Sequence, residues 1–255
     1  MKKKYYYYDL HCHTTDSADA PMTVKKLIKM AKERGIDGVA ITNHNKVYLG
    51  KENIDGVEII PGCEISVNNG DHLLAYFVNK KIEERLGFLK SVEEVHKQGG
   101  FAVWAHPTRE NGVFNKGFEE VFSVLDGLEI NGMDSKEENQ LVFDASKEYN
   151  LLKTAGSDAH TEGQLGVAVL KVKEKITKEN FLEVIKNGEV IVREEFSNFK
   201  KKDHETRRKI SKIQKHIPFR KNNFVKIIFA KLVLRNWLRM VNIKLKKIKI
   251  KHQQD

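Results

Sequence analysis

Short apolar segments, each followed closely by a histidine or a carboxylate, recur along the first three quarters of the chain. Residues 39–42 lead to His44 and residues 101–105 lead to His106, and both segments have the length and composition of buried strands. Stretches with apolar residues every three or four positions lie between such segments, as in residues 21–34, and this spacing is typical of a helix. The alternation predicts parallel strands covered by helices, and the number of repeats favours a closed or nearly closed α/β barrel.

The polar residues at the ends of these segments are the candidate functional residues. In an α/β barrel the loops after the strands converge at one rim, and the active site lies there. Two spacings, His11 with His13 and Asp158 with His160, place both side chains of a pair on one side of extended backbone. A lone histidine at a strand end is usually solvated, but six of the ten histidines occupy comparable positions. Imidazole and carboxylate ligands without thiolates suit zinc, manganese or iron. The candidate metal ligands are His11, His13, Asp19, His44, Glu64, His72, His106, Asp158 and His160.

Five short motifs resemble, in their order, those of the PHP superfamily, the polymerase and histidinol phosphatase domains. They are Asp9-Leu10-His11-Cys12-His13, Thr42-Asn43-His44, Pro61-Gly62-Cys63-Glu64, Ala105-His106-Pro107 and Gly156-Ser157-Asp158-Ala159-His160. The resemblance covers residues 5–193 and implies a distorted (β/α)7 TIM-like barrel that holds two or three divalent metal ions, with zinc, manganese and iron as the candidates.

The resemblance also implies how the ligands divide among three metal positions. The first is held by His11, His13, Glu64 and Asp158. The second shares Glu64 as a bridge and adds His72 and His106. The third lies on Asp19, His44 and His160. Asp19 stands where some members of the superfamily have histidine.

Clustered divalent metals suit the hydrolysis of phosphate esters, because they polarise a phosphoryl oxygen and lower the pKa of bound water to about 7. We therefore predict a metal-dependent phosphoric ester hydrolase that acts on a phosphorylated small metabolite or a nucleotide. The residues to which we assign catalytic roles are Glu64, His106, Asp158 and His160. The alternative among enzymes is an oligonucleotide exonuclease or phosphodiesterase.

One departure from the family pattern leaves a third function open. The superfamily usually has aspartate where this chain has Asn43. An amide there would reduce metal affinity or rate if the carboxylate tunes a neighbouring ligand. A metal-binding regulatory module without catalysis therefore remains an alternative. Asp9 lies two residues before His11, and it is either an ordinary turn residue or the acceptor for the outer ring nitrogen of His11.

Arg109 and Asn131 lie at the same predicted rim and are candidate substrate ligands. The guanidinium of Arg109 presents a bidentate fork that matches a phosphate. Its structural alternative is a surface ion pair with Glu110 or Glu119. Asn131 ends a predicted strand, where it would be either a substrate ligand or a turn residue.

The charge divides the chain into two predicted regions, a PHP-like metallohydrolase domain over residues 1–195 and a basic C-terminal extension over residues 196–255. The extension carries 19 Lys or Arg and three Asp or Glu, a net charge of +16, whereas the whole chain carries +10. Residues 197–221 read as a solvated linker, and residues 224–241 have the pattern of a basic amphipathic helix. Three partners suit that helix: an anionic membrane surface, nucleic acid, or the barrel or a second subunit.

The cysteines and the N-terminus favour a cytoplasmic protein. Cys12 and Cys63 are the only cysteines, and both neighbour candidate ligands, so a disulfide scaffold is not expected. The initial lysines are followed by tyrosines and not by the apolar core of a signal peptide, and no run of about 18 apolar residues occurs. The basic extension makes peripheral attachment to a membrane the alternative location.

Overall fold

The structure is a computed structural model that describes residues 4–109 and 119–193. The predicted linker and amphipathic helix of residues 196–255 lie outside the described residues, so their conformation and partners stay predictions. The described strands and helices belong to one compact unit that ends at Val192. No helix among the described residues is long and apolar enough to cross a membrane.

Ten strands form a single sheet that curls into a nearly closed barrel, as predicted. They are β1 (Tyr6–Cys12), β2 (Gly38–Ile41), β3 (Asn53–Ile54), β4 (Val57–Ser66), β5 (His72–Tyr76), β6 (Phe101–Ala105), β7 (Gly127–Asn131), β8 (Leu152–Gly156), β9 (Ala168–Val172) and β10 (Glu189–Val192). Their order is β10-β9-β1-β2-β4-β5-β6-β7-β8, and β3 pairs with β4. A bridge between Cys12 and Ala159 brings the chain after β8 beside the end of β1.

The strand directions differ from the predicted all-parallel arrangement. The runs β1-β2-β4 and β6-β7-β8 are parallel, but β5 is antiparallel to both of its neighbours. Strands β9 and β10 are also antiparallel to their partners. The β4–β5 connection of residues 67–71 contains Asn69-Gly70, with Gly70 at a φ of 93°. So short a connection makes a hairpin and cannot hold the crossover that a parallel pair requires.

The hairpin has a direct consequence for the site. Because β5 runs backwards, its first residue, His72, lies at the rim where β4 and β6 end. The register pairs His72 with Ser66 on β4 and with Ala105 on β6. His72 thus reaches the rim that the parallel strands reach through their carboxyl ends.

Five helices lie between the strands: α1 (Val24–Glu33), α2 (Phe88–Lys97), α3 (Glu119–Phe122), α4 (Lys136–Glu148) and α5 (Phe181–Lys186). The helix α1 confirms the predicted helical segment of residues 21–34 with shorter bounds. The side chain of Thr23 accepts a hydrogen bond from the amide of Lys26 and so begins α1. The helix stops before Gly35, which has a φ of 67°. Leu27, Ile28 and Ala31 form its buried face.

The strand β2, which has parallel neighbours, is buried on both faces. On β2, Val39 and Ile41 pack in a cluster with α1, while Ala40 between them belongs to a second cluster that includes Tyr8 and Tyr76. Gly38 makes room for Tyr8, since a Cβ at residue 38 would lie 2.2 Å from the Tyr8 ring. Apolar packing beneath the rim therefore holds the polar strand ends in place.

The N-terminus of α4 offers a test of local stability. The Ser135 hydroxyl accepts from the amide of Glu138 at 3.1 Å, and the Glu138 carboxylate accepts from the amide of Ser135 at 2.7 Å. We expect Ser135→Ala to lower the free energy of unfolding by about 1 kcal/mol, because the helix loses its capping side chain. Urea unfolding measures the change. The neighbouring exposed Lys136→Ala serves as the control, and an equal effect of both substitutions would contradict the capping role.

Candidate metal centre

Two chain segments bring the paired ligands face to face. The amide of His13 donates to the carbonyl of Ala159 at 2.9 Å, and the amide of Ala159 donates to the carbonyl of His11 at 3.2 Å. This ladder sets the pair His11 and His13 against Asp158 and His160. Asp158 adopts a φ of 51°, and His106 adopts a φ of 30°. Such left-handed conformations cost about 1–3 kcal/mol for a residue with a side chain, and two of those in this structure lie among the candidate ligands.

Glu64 on β4 lies at the centre of the site and is fully buried. One oxygen, Oε1, lies 2.8 Å from His72 Nδ1 and 3.0 Å from His106 Nε2. The other oxygen, Oε2, lies 2.8 Å from His44 Nδ1, 3.2 Å from His13 Nε2 and 3.5 Å from His11 Nε2. Burial alone would raise the pKa of Glu64, but the charge of His11 and the hydrogen bond with His106 hold that pKa well below its usual range.

The donor atoms around Glu64 fit a divalent cation. The Nε2 atoms of His11 and His13 approach to 3.0 Å, and both face Asp158 Oδ1, at 3.6 and 3.3 Å. Glu64 Oε2 and His160 Nε2 are buried, and neither makes a hydrogen bond of normal geometry within the described residues, although His44 Nδ1 and Asp19 Oδ2 lie 2.8 and 3.1 Å away. Buried polar atoms normally have partners. The lone pairs of these nitrogen and oxygen atoms converge, and a divalent cation between them would accept them. The residues present therefore fit the metals that the resemblance implies.

All nine predicted ligands come together in this one cluster. Three sets of three have ligand atoms within 4.8 Å of one another: His11, His13 and Asp158; His13, His44 and His160; His44, Glu64 and His72. The predicted third position is also represented, since Asp19 Oδ2 lies 3.1 Å from His160 Nε2 and 3.5 Å from His44 Nε2. His13 and His44 each fall in two sets, so the division of ligands among individual ions stays a prediction.

Three histidines have their Nδ1 atoms hydrogen-bonded away from the cluster. His13 Nδ1 meets the Ser17 hydroxyl at 2.9 Å, and His160 Nδ1 meets the carbonyl of Asp158 at 3.0 Å. His11 Nδ1 meets Glu129 Oε1 at 2.8 Å. In each ring the Nε2 atom is left to face the cluster, which is the arrangement of histidines that bind metals through Nε2.

The predicted pairing of Asp9 with the His11 ring is wrong. Asp9 accepts hydrogen bonds from the amides of Ser157 and Gly166, at 2.9 and 2.7 Å, and from the Ser157 hydroxyl. These buried donors of the chain after β8 need an acceptor, and Asp9 supplies it. Glu129 takes the predicted place, and its signal in the sequence is a charged residue inside the apolar run Leu128-Glu129-Ile130.

Asn43 acts on the cluster through Ser17. Its Oδ1 accepts from the amide of Thr14 at 2.7 Å and from the Ser17 hydroxyl at 3.2 Å, and Ser17 in turn contacts His13. The amide nitrogen of Asn43 is buried without a partner in the described part of the chain. The asparagine therefore keeps the acceptor role of an aspartate while leaving its own donor unsatisfied. This defect costs about 1–3 kcal/mol.

Arg109 lies at the edge of the cluster, with about a quarter of its side chain exposed. Its Nε donates to Asp134 Oδ1 at 2.6 Å, and its Nη1 donates to Asp158. Its Nη2 donates to Asn131 Oδ1. The ion pairs of Arg109 thus involve carboxylates of the site, and Glu110, one of the predicted alternatives, lies outside the described residues.

Asn131 is fully buried behind Arg109. Its side-chain oxygen accepts from Arg109 and from the amide of Met133, and its amide nitrogen donates to Glu129 at 3.0 Å. Both ends of this side chain are occupied inside the protein. Asn131 therefore supports Arg109 in this structure, and its contact with substrate stays a prediction.

The carboxylates change the protonation of the surrounding rings. Burial lowers the pKa of His44, but hydrogen bonds and charges from Asp19 and Glu64 outweigh it and raise the pKa to about 10. Burial opposes protonation of His160 as well, and Asp158 and Asp19 raise its pKa to about 9. His13 differs, because burial and the charge of His160 lower its pKa.

Proton release on metal binding follows from these shifts. A raised pKa means that the metal-free ring holds its proton below that value, and a divalent ion must displace the proton to bind. We expect zinc addition to the metal-stripped full chain to release protons at pH 7, where His44 and His160, with pKa values raised to about 10 and about 9, still hold their protons. A pH indicator in weak buffer measures the release. Zinc binding without proton release at pH 7 would contradict the assignment.

Comparisons with known proteins find one matching family model and several relatives. The model of the PHP-associated family matches residues 136–190. An uncharacterised protein of Methanocaldococcus jannaschii is 31% identical over 141 residues, which are 48% of this chain and 79% of that protein. A 5′-3′ exoribonuclease of Haemophilus influenzae is 29% identical over 107 residues, 38% of this chain and 37% of the relative.

A solved structure shows the same fold. A two-domain protein of Bacteroides vulgatus, containing a predicted PHP-like metal-dependent phosphoesterase, superposes with a TM-score of 0.58 at 20% identity. The superposition covers 74% of this chain and 65% of that protein.

Proposed function

The chain belongs to the PHP superfamily of metal-dependent phosphoesterases, and from that premise we propose that it hydrolyses a phosphate ester of a small metabolite or a nucleotide. The observation that carries the proposal is Glu64, a buried carboxylate with five histidines around its two oxygens. When bound, divalent ions polarise a phosphoryl oxygen, lower the pKa of a water molecule and stabilise the charge on the leaving oxygen. The nine clustered residues would hold these ions.

Asp158 joins the metal ligands to the proposed phosphate-binding residue. Its Oδ1 faces the Nε2 atoms of His11 and His13, and its Oδ2 accepts from Arg109. One carboxylate therefore fixes the distance between the ligand cluster and the guanidinium. We assign Arg109 to bind a phosphoryl oxygen of the substrate and to orient the ester beside the cluster, since a guanidinium offers several donors in a fixed plane.

Two other functions are outcomes of the tests below. An oligonucleotide phosphodiesterase is compatible with the exoribonuclease relative and with the basic extension. A metal-binding regulatory module is compatible with Asn43. Hydrolysis of a phosphate ester of a small molecule requires neither a nucleic acid partner nor the basic extension. It is therefore the primary proposal.

Removal of a central ligand tests catalysis. We expect His11→Ala and Glu64→Ala each to abolish hydrolysis, because His11 is a ligand of the first predicted metal position and Glu64 bridges the first and second. The assay uses the manganese- or zinc-loaded full chain with a panel of phosphomonoesters and short RNAs, and metal content is determined on the same samples. His96→Ala is the matched control, because His96 pairs with Asp126 on the surface, outside the cluster.

The outcomes separate the candidate functions. Full activity in both ligand variants would refute the metal centre. Turnover of RNA alone would replace the primary proposal with the phosphodiesterase. Full metal occupancy of the wild-type chain without any turnover would favour the regulatory module.

Arg109 allows a test of substrate binding. We expect Arg109→Lys to raise KM for a phosphomonoester about 10- to 100-fold, since a hydrogen bond to a charged group contributes about 1.5–3 kcal/mol. Metal content should stay unchanged, because Arg109 is not a ligand. Steady-state kinetics measure the effect, with the exposed Arg85→Lys as control. An unchanged KM would exclude Arg109 from substrate binding.

A further inference from the structure

We propose that Glu129 is a positioning residue, which fixes the tautomer of His11 and ties the metal ligands to Arg109. The inference deepens the proposed function, because it assumes that His11 binds a metal through Nε2. Glu129 lies on β7 and is fully buried. Its side chain contacts the ring of His11 and the backbone amide of His106. It is connected to Arg109 through Asn131.

Three groups surround the Glu129 carboxylate. Oε1 lies 2.8 Å from His11 Nδ1. Oε2 accepts from the backbone amide of His106 at 2.8 Å and from Asn131 Nδ2 at 3.0 Å. The amide of His106 and the side-chain nitrogen of Asn131 are always hydrogen-bond donors. The third group is the His11 ring, whose Nδ1 atom must carry a proton if the carboxylate is to accept a hydrogen bond there as well.

The tautomer follows from this arrangement. An ionised carboxylate only accepts hydrogen bonds, so the proton of neutral His11 lies on Nδ1 and the lone pair lies on Nε2. His11 Nε2 is the atom that faces His13 Nε2, Glu64 Oε2 and Asp158 Oδ1. Glu129 thus keeps the lone pair of His11 on Nε2, the nitrogen that points into the cluster. It also prevents the ring from flipping.

The link to Arg109 runs through Asn131. The Asn131 side chain donates to Glu129 and accepts from Arg109 Nη2. Asn139 on α4 holds the Asn131 backbone, accepting from its amide at 3.0 Å and donating to its carbonyl at 2.9 Å. A continuous chain of buried hydrogen bonds therefore connects a metal ligand to the proposed phosphate-binding residue.

Gly156 on β8 gives independent support, because it keeps open the space that this pair occupies. A Cβ at residue 156 would lie 2.3 Å from Glu129 Oε1 and 2.4 Å from His11 Cβ. Any side chain there would displace the carboxylate or the ring.

Glutamine cannot replace Glu129 without a conflict. Both ends of the side chain face donors, so an amide nitrogen would meet a donor whichever way the group is turned. In one orientation the glutamine nitrogen faces the donors of His106 and Asn131. In the other orientation it faces His11 Nδ1, and there it favours the tautomer of His11 with the proton on Nε2.

Zinc affinity tests the positioning role. We expect Glu129→Gln in the full chain to weaken zinc binding about 10- to 100-fold, as is typical when the outer partner of a histidine ligand is lost. Competition with a chelating zinc indicator measures the dissociation constant. Asp126→Asn is the matched control, because it also replaces one carboxylate by an amide and lies just before β7. Asp126 pairs with His96, outside the cluster. Equal zinc affinity of Glu129→Gln and wild type would overturn the proposal.

A second measurement stands even if Glu129→Gln does not fold. In the zinc-loaded, 15N-labelled wild-type chain, long-range proton–nitrogen spectra distinguish a protonated Nδ1 from a protonated Nε2. We expect His11, assigned with the His11→Gln variant, to carry its proton on Nδ1. A proton on Nε2 would overturn the inference. Absence of hydrolysis with the expected tautomer and zinc affinity would instead refute the proposed function and leave the role of Glu129 standing.

Discussion

The burial of one carboxylate, Glu64, sets the conditions that the rest of the site satisfies. An ionised carboxylate removed from water costs several kcal/mol unless charges and hydrogen-bond donors surround it. Here five imidazole rings come within 3.5 Å of its two oxygens. Rings so close together must be held in fixed orientations, and their outer nitrogens need acceptors of their own. Glu129 and Ser17 meet that need for His11 and His13.

The barrel delivers these rings from separate parts of the chain to one rim. Parallel strands such as β1 and β6 do so through their carboxyl ends, and β5 does so through its first residue because it runs antiparallel. The reversed strand lets Glu64 and His72 lie on adjacent strands of one hairpin, separated by only seven residues in sequence. The β4–β5 hairpin is thus part of the site. Because β5 is antiparallel, His72 lies at the rim, whereas a parallel strand would place its first residue at the opposite end of the barrel.

Much of the site could be predicted from local sequence, and the errors have a common physical origin. Most of the nine candidate ligands are recognisable because they closely follow apolar segments, whereas His72 precedes one and Asp19 lies in a loop. The outer acceptors are harder to predict, because a hydrogen bond depends on which strands become neighbours. Asp9 is close to His11 in sequence, yet buried amides after β8 occupy it. Glu129 is 118 residues away from His11 and lies 2.8 Å from its ring.

The sequence by itself determined the type of fold and the chemical character of the rim, because periodicity and residue type are local properties. It also determined the separate basic character of residues 196–255. Only the tertiary structure decided the direction of β5, the partner of each ring nitrogen and the place of Arg109 beside Asp158. These features depend on pairing across the barrel, where buried donors and acceptors must satisfy one another whatever their separation along the chain.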